Sequence, residues 1–355
     1  MSYDREMHVF YLQAYVPALI AETIIKKKAL TPEDVIIWHA RNNGRPWLPL
    51  LGSVRDLDSN PFRVRRFSKS RNLAKTWAML KLHDLQISHA TKGRPFQFYI
   101  PHSYYQFFQL TSTHSLCSKF HYLEEGLAAY RRADDLSATI QDIGKPLWDL
   151  TSGQHLILGR RVQTKEFFNA GASSAWGLTE GSFSAIQGNR VQVEVNWRTA
   201  DLGERYDDCA LVLLGPFEGH SPSNSSYTCY SAALRELMGI MIKSPFRSIY
   251  IRKHPETVEE DFTFLYRNVF ATLGPRVTVD PTEHPPEVIC ASARVTLISS
   301  GSSAALYAPR FGRPVLSFGG IVAKHCPDFN RRWKRIKDTI GLPFEENDIR
   351  QAPWG

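Results

Sequence analysis

Three short polar runs in this sequence carry side chains that could perform acid–base or phosphate chemistry. They are Glu124-Glu125-Gly126, Lys253-His254-Pro255 and Ser299-Ser300-Gly301-Ser302-Ser303. Adjacent carboxylates repel each other, which makes it easier for one of them to accept a proton near neutral pH. An imidazole can donate a proton, and serine hydroxyls ahead of a helix can hold a phosphate. The first run follows an aromatic, strand-like segment, and α/β proteins usually bind their ligands at strand ends.

Each of the three runs also has a structural alternative. Glutamates are favourable in the first turn of a helix. A histidine before proline can be a structural residue at a strand end, and a serine run can be a helix N-cap. The elements around each run therefore decide which interpretation is preferred.

The segments before Glu124 alternate between strand and helix patterns, which predicts a parallel sheet. Strands are expected at residues 7–12, 35–39, 63–67 and 96–100, and in the aromatic run that ends at Glu124. Helices are expected at residues 14–30, 70–86 and 104–110. Between residues 144 and 197 the pattern weakens, apart from a turn at 188–190 and an alternating strand at 191–195.

A second series of strands and helices follows a boundary that we place near residues 198–206. Its first strand is the apolar run 209–214, which ends at Gly215-Pro216 and is followed by a loop with His220. Further strands are expected at 247–252, 277–279, 295–298 and 315–318, and helices at 227–242, 261–272, 285–292, 304–311 and 329–340. The predicted architecture is α/β, with two Rossmann-like domains, residues 1–205 and 206–355, facing each other across a cleft.

The composition is that of a globular protein with excess positive charge. Hydrophobic residues make up 43% of the 355 residues, and the formal net charge is +8, which fits an anionic substrate, nucleic acid or anionic lipid. No apolar run approaches the roughly 18 residues that span a bilayer, and the N-terminus does not resemble a secretory signal. The five cysteines contain no C-x-x-C pair, which predicts buried free thiols. We therefore expect a cytoplasmic protein.

In their order and rough spacing, the three polar runs resemble the motifs of bacterial sialyltransferases and polysialyltransferases with a GT-B fold. That family carries an acidic pair plus glycine in its N-terminal domain, and a His-Pro pair and a Ser-Ser pair in its C-terminal domain. The resemblance covers most of the chain in architecture, but only these few residues in sequence. It implies an inverting, metal-independent glycosyltransferase without a cofactor, whose co-substrate is CMP-N-acetylneuraminic acid and whose acceptor is a cell-surface or capsular glycan.

The resemblance also implies roles for individual side chains. Glu124 would deprotonate the acceptor hydroxyl, with Glu125 as the alternative base. His254 would stabilise the departing CMP phosphate, while Pro255 fixes the turn that aims the imidazole. Ser302-Ser303 is the first choice for the family's Ser-Ser pair, and Ser299-Ser300 is the second. Gly126 and Lys253, which belong to these runs, are included in the expected donor site. Gly215, Pro216 and His220 would either line the nucleotide pocket or form only a loop.

Two basic clusters each have two interpretations, of which a solvated face is one. Arg63, Arg65 and Arg66 lie in the expected acceptor domain and would bind an anionic glycan. The cluster at residues 331–337 would contact anionic inner-membrane lipid, where each basic residue adds roughly 1 kcal/mol.

Other functions also remain open at this point. Kdo or a legionaminic-type acid could be the transferred sugar, because CMP donors share their phosphate and carboxylate. A GT-B protein that binds a sugar nucleotide could instead act as an epimerase. A basic nucleic-acid-binding protein would explain the charge, but no recognition motif supports it, so we expect no nucleic-acid partner.

Overall fold

The computed structural model describes residues 5–39, 53–54, 73–103, 106–130, 167–168, 171–186, 188–215, 225–255, 257–330, 333–334 and 347–354. The chain divides into two compact units, Met1–Asn196 (unit 1) and Trp197–Gly355 (unit 2). The boundary expected after residue 205 falls within the 3-10 turn Gly203–Tyr206, which leads into the first strand of unit 2.

Unit 1 contains a parallel sheet, which in the described residues has the strand order β3-β2-β1-β4-β5-β6-β7. Its strands are Met7–Leu12 (β1), Val35–His39 (β2), Ser53–Val54 (β3), Phe96–Ile100 (β4), Cys117–Leu123 (β5), Ser174–Gly177 (β6) and Arg190–Gln192 (β7). The helices described in this unit are Tyr15–Lys27 (α1), Leu73–Ala90 (α2) and Gln106–Ser112 (α3). Because β1 has β2 on one side and β4 on the other, the connections reverse direction between β1 and β4. Such a switch point is the usual ligand position in a doubly wound sheet.

The local sequence explains most of these strands. Strand β2 is apolar over its first four residues, and β4 is aromatic or aliphatic apart from Gln97, as expected for parallel strands covered on both faces. Strand β7 confirms the beginning of the strand expected at 191–195, but it ends at Gln192. The sequence does not predict β3 and β6. The strand predicted at 63–67 lies outside the described residues.

The two faces of the unit 1 sheet are buried in different ways. One face carries an aromatic core, in which Phe98, Phe108, Tyr122 and Phe183 have at most 1% of their surface exposed. The other face carries a buried polar network centred on Tyr99, whose ring stacks on His121 at 4.6 Å between centroids.

Several hydrogen bonds connect the members of this buried network. The Tyr99 hydroxyl lies 2.9 Å from His8 Nδ1 and donates to Gln97 Oε1 at 3.0 Å. His121 Nε2 lies 3.1 Å from the same Gln97 oxygen, and Lys28 Nζ donates to it at 3.0 Å. Buried polar groups are costly unless they are hydrogen-bonded, so these contacts allow two imidazoles to be buried in the sheet.

Unit 2 contains a second parallel sheet, with the order β10-β9-β8-β11-β12 in the described residues. Its strands are Cys209–Leu213 (β8), Ile249–Arg252 (β9), Val277–Val279 (β10), Val295–Ser299 (β11) and Val315–Ser317 (β12). Its helices are Ser225–Met241 (α4), Glu259–Leu265 (α5), Pro286–Ser292 (α6), Ala304–Tyr307 (α7) and Gly319–His325 (α8). The switch point lies between β8 and β11, which follow the same rule as β1 and β4.

The core of unit 2 follows from helical periodicity in α4. Leu234, Leu237, Met238 and Met241 are spaced as one helix face and are at most 1% exposed in the core that includes β8 and β9. Burial of each such side chain stabilises the fold by roughly 1.5–3 kcal/mol. Helix α8 was not predicted, because Gly319-Gly320 looked like a strand end and instead begins a helix.

The expectation that all five cysteines are free thiols is wrong for two of them. A disulfide joins Cys229, in the second turn of α4, to Cys326, directly after α8, with Cα atoms 5.3 Å apart. Cys117, Cys209 and Cys290 are free thiols. The pair could not be seen in the sequence because its members are 97 positions apart and no spacing pattern marks them.

Candidate active site

Glu124 is a fully buried carboxylate directly after β5, with 0% of its surface exposed. Its Oε1 accepts a hydrogen bond from the Tyr130 hydroxyl at 2.9 Å. Its Oε2 accepts from the Leu178 N–H and from the Ser182 hydroxyl, both at 2.6 Å. Burial, together with the Glu124 charge, raises the pKa of Tyr130 to about 12, so the phenol remains a donor at ordinary pH. Glu124 therefore connects the end of β5 to the loop after β6.

Two glycines make this arrangement possible. Gly126 has a φ of +67°, in the left-handed region that glycine adopts without strain. Gly177, the last residue of β6, has no room for a side chain, because an added Cβ would lie 2.4 Å from Ser182 Cβ and 3.1 Å from Glu124 Oε2. Backbone geometry thus gives a reason for the glycine after the two glutamates, and its contact with a donor remains a prediction.

Glu125 differs from Glu124 in that it is only partly buried. Its Oε2 accepts a hydrogen bond from Nε2 of Gln13, which lies one residue after β1. The contact crosses the end of β4, the strand between β1 and β5 in the sheet. Glu125 is therefore the member of the acidic pair that solvent can reach, at the switch-point edge of the sheet.

In unit 2, three adjacent strands end level with one another at the carboxyl edge. Leu213 of β8 pairs with Arg252 of β9 on one side and with Ser299 of β11 on the other. The runs that begin at Lys253 and at Ser300 therefore leave the sheet on either side of Gly215. The sequence pattern alone did not specify this register.

The serine run after β11 contains both structural and partly exposed hydroxyls. Ser299 is 0% exposed, and its Oγ accepts hydrogen bonds from the Gly301 and Ser302 N–H groups at 3.0 and 2.7 Å. Ser300 is also buried, near Gly215, where an added Cβ would lie 3.5 Å from the Ser300 hydroxyl. Ser302 and Ser303 are partly exposed, directly before α7. Solvent exposure thus favours Ser302-Ser303 over the buried Ser299-Ser300 as contacts for a phosphate.

The His-Pro run directly follows β9. His254 is partly buried, and its carbonyl accepts a hydrogen bond from the Thr257 N–H at 2.9 Å, which closes a turn around the exposed Pro255. The Lys253 ammonium forms an ion pair with Glu259 Oε2 at 2.5 Å. Close to this run, the Gly215 N–H donates to the hydroxyl of the buried Tyr230 at 2.8 Å, and burial raises the pKa of that phenol.

Several predicted site residues lie outside the described residues. They are Arg63, Arg65, Arg66, Pro216 and His220, together with most of the basic cluster at 331–337. In the stretches that the structure does describe, no group of three or more His, Cys, Asp or Glu side chains could hold a metal ion. Metal independence remains a prediction. No helix in those stretches is long and apolar enough to cross a membrane.

No protein-family model matches the sequence, and no curated protein matches it. A solved structure of a putative UDP-N-acetylglucosamine 2-epimerase from Listeria monocytogenes matches with a TM-score of 0.50 and 10% identity, over 97% of this chain and 94% of that chain. The chain has a GT-B-like fold. A UDP-GlcNAc 2-epimerase from Methanocaldococcus jannaschii matches with a TM-score of 0.48 and 13% identity, over 94% and 93% of the two chains. Phytolacca americana UGT2 has the same TM-score at 11% identity, over 99% and 93%. At such identities the similarity concerns the fold alone.

Three residues of the unit 1 site were missed in the sequence. Gln13, Tyr130 and Ser182 all contact the acidic pair. Tyr130 is six residues from Glu124, but Ser182 and Gln13 are separated from their partners by 58 and 112 residues. Only the strand order of the sheet brings such distant segments together.

Proposed function

We propose that this chain is an inverting glycosyltransferase that moves a nonulosonic acid, such as N-acetylneuraminic acid, from its CMP ester to a glycan hydroxyl. The observation that carries the proposal is the level ending of β8, β9 and β11, which brings Gly215, the His254 run and the serine run to the switch-point edge of unit 2. Nucleotides bind at such edges in doubly wound sheets. The motif resemblance supplies the CMP-activated sugar acid.

In this proposal unit 2 holds the donor. The Ser302 and Ser303 hydroxyls would donate hydrogen bonds to the phosphate, and the structural Ser299 would hold their backbone in place. His254 would donate a hydrogen bond or proton to the phosphate oxygen as the bond between the anomeric carbon and that oxygen breaks. Stabilisation of the developing negative charge lowers the barrier to departure of CMP.

Unit 1 would supply the general base, and we assign that role to Glu125. The carboxylate of Glu124 is fully buried and already accepts hydrogen bonds from three protein donors, so an acceptor hydroxyl would have to displace one of them. Glu125 is partly exposed and can receive a proton from the attacking hydroxyl. As the acceptor oxygen bonds to the anomeric carbon, its proton passes to Glu125, and CMP leaves from the opposite face.

A second candidate is a reaction on a UDP-sugar. The observation in its favour is the shared fold with the Listeria monocytogenes protein, which is described as a putative UDP-N-acetylglucosamine 2-epimerase. An epimerase would change its sugar nucleotide without needing a glycan acceptor. Acceptor dependence and nucleotide identity therefore separate the two candidates.

The test is a comparison of donors with the purified full chain. CMP-N-acetylneuraminic acid, CMP-Kdo and UDP-N-acetylglucosamine are each incubated with and without a panel of sialylated and neutral glycans. Free nucleotide and elongated glycan are then measured by liquid chromatography and mass spectrometry. We expect CMP release that requires an acceptor, with addition of one acid sugar per CMP. Turnover of the UDP-sugar alone, or CMP release without glycan elongation, would overturn the proposal.

A further inference from the structure

Gln13 and Glu125 come together across the switch-point edge of unit 1. Gln13 lies in the short connection between β1 and α1, and Glu125 lies two residues after the end of β5. Strand β4 separates β1 from β5, so two inter-strand spacings, or about 10 Å, lie between the strands that carry these residues. The side chains nevertheless meet, with the Gln13 amide donating to Glu125 Oε2. Both side chains must therefore reach over the end of β4.

From this contact we infer that Gln13 is a positioning residue for the general base, an inference that rests on the function proposed above. The amide N–H stabilises the ionised carboxylate, which is the form that accepts a proton. It also restricts the rotation of the carboxylate, because Oε2 is held by the Gln13 amide. A hydrogen bond of this kind to a charged group contributes more than a neutral one.

A glutamine suits this task because its side chain is neutral. A lysine or arginine at the same place would also stabilise the ionised carboxylate, but its full positive charge would make the carboxylate a weaker base. An amide orients the oxygen and favours ionisation without adding that charge. The neighbouring Glu124 accepts hydrogen bonds from Tyr130, Leu178 and Ser182.

The first arm of the test uses turnover. Gln13→Met keeps the length of the side chain and removes the donor, while Gln13→Glu keeps its shape and replaces the donor with a second acid. We expect Gln13→Met to lower kcat for CMP release by roughly 10–100-fold, with the donor KM changed by less than about twofold. The acidic limb of the pH profile should move to higher pH in Gln13→Met, and further in Gln13→Glu. Gln351→Met, at an exposed glutamine of unit 2, is the matched control.

The second arm needs no substrate. A water-soluble carbodiimide with an amine labels protonated carboxyl groups, and tandem mass spectrometry distinguishes Glu125 from the buried Glu124. We expect the pH of half-maximal Glu125 labelling to rise by roughly half to one unit in Gln13→Met. If the labelling shifts but the wild-type chain turns over no CMP-sugar, the contact stands and the proposed function fails. If neither the labelling nor the pH profile moves, Gln13 does not position Glu125.

Discussion

Acidification should destabilise unit 1 because two imidazoles are buried in its sheet. Burial, reinforced by the Lys28 ammonium, lowers the pKa of His8 to about 4. Burial, with Lys28, His8 and Lys119 adding to it, lowers the pKa of His121 to about 3. Glu6 and Asp34 act in the opposite direction on His8 but do not outweigh burial. Both imidazoles are therefore neutral in the folded chain at pH values where an unfolded histidine is protonated.

The sign and size of the effect follow from proton linkage. A histidine whose folded pKa lies below its unfolded value of 6.5 contributes stability above that value, and the contribution is lost as the pH falls. When the pH falls from about 7.5 to about 5, each imidazole should lower the free energy of unfolding by about 2 kcal/mol, and the two together by about 4 kcal/mol. That loss is a large part of the 5–15 kcal/mol typical of a folded domain.

The measurement is urea-induced unfolding at these two pH values, followed by tryptophan fluorescence. The wild-type chain should lose about 4 kcal/mol of unfolding free energy on acidification, whereas His8→Asn with His121→Asn should lose much less. An asparagine amide retains a polar partner for Tyr99 and for Ser174 without titrating in this range. His89→Asn, at an exposed position, is the control and should behave like the wild type. Equal pH dependence in the wild type and the double variant would refute the reasoning.

Two further predictions concern packing inside unit 1 and covalent linkage inside unit 2. Gly177→Ala should destabilise the chain by roughly 1–3 kcal/mol in the same urea assay, because its Cβ would meet Ser182 Cβ at 2.4 Å. Ser182→Gly itself removes a hydrogen bond to Glu124, but in that background Gly177→Ala should cost less than it does in the wild type, because the clashing Cβ is gone. An equal cost in the two backgrounds would argue against the clash. Non-reducing peptide mapping should recover Cys229 and Cys326 as one cross-linked pair, and reduction should cost roughly 2–4 kcal/mol. Two free thiols in the native protein would contradict this pairing.

In both sheets, the strands that could be predicted from the sequence are those buried on both faces. Runs such as CALVL in β8 and FQFYI in β4, in which Gln97 is the one strongly polar residue, have few alternatives to a parallel strand. The three polar runs follow three other strands, β5, β9 and β11. Strand β6 was missed because its four residues, SAWG, are too short and too mixed to show a pattern. A sheet neighbour can make a strand of such a segment, but that neighbour is not visible locally.

The candidate site was only half predictable for a similar reason. Residue types and order made Glu124, Glu125, His254 and the serine run candidates, and the structure places each of them at or directly after the end of a strand. The sequence could not distinguish the two glutamates, since burial is decided by partners such as Ser182 and Gln13, which are distant in the chain. The structure separates them by exposure and by hydrogen bonding.

The assignment of the base is best tested by comparing Glu125→Gln with Glu124→Gln in the same preparation. We expect Glu125→Gln to lower kcat for acceptor-dependent CMP release by roughly 100- to 10,000-fold, with the urea midpoint unchanged. Glu124→Gln should instead lower the free energy of unfolding by roughly 1–3 kcal/mol, because an amide cannot accept from all three of its donors. Wild-type kcat in Glu125→Gln would contradict the assignment of Glu125 as the base.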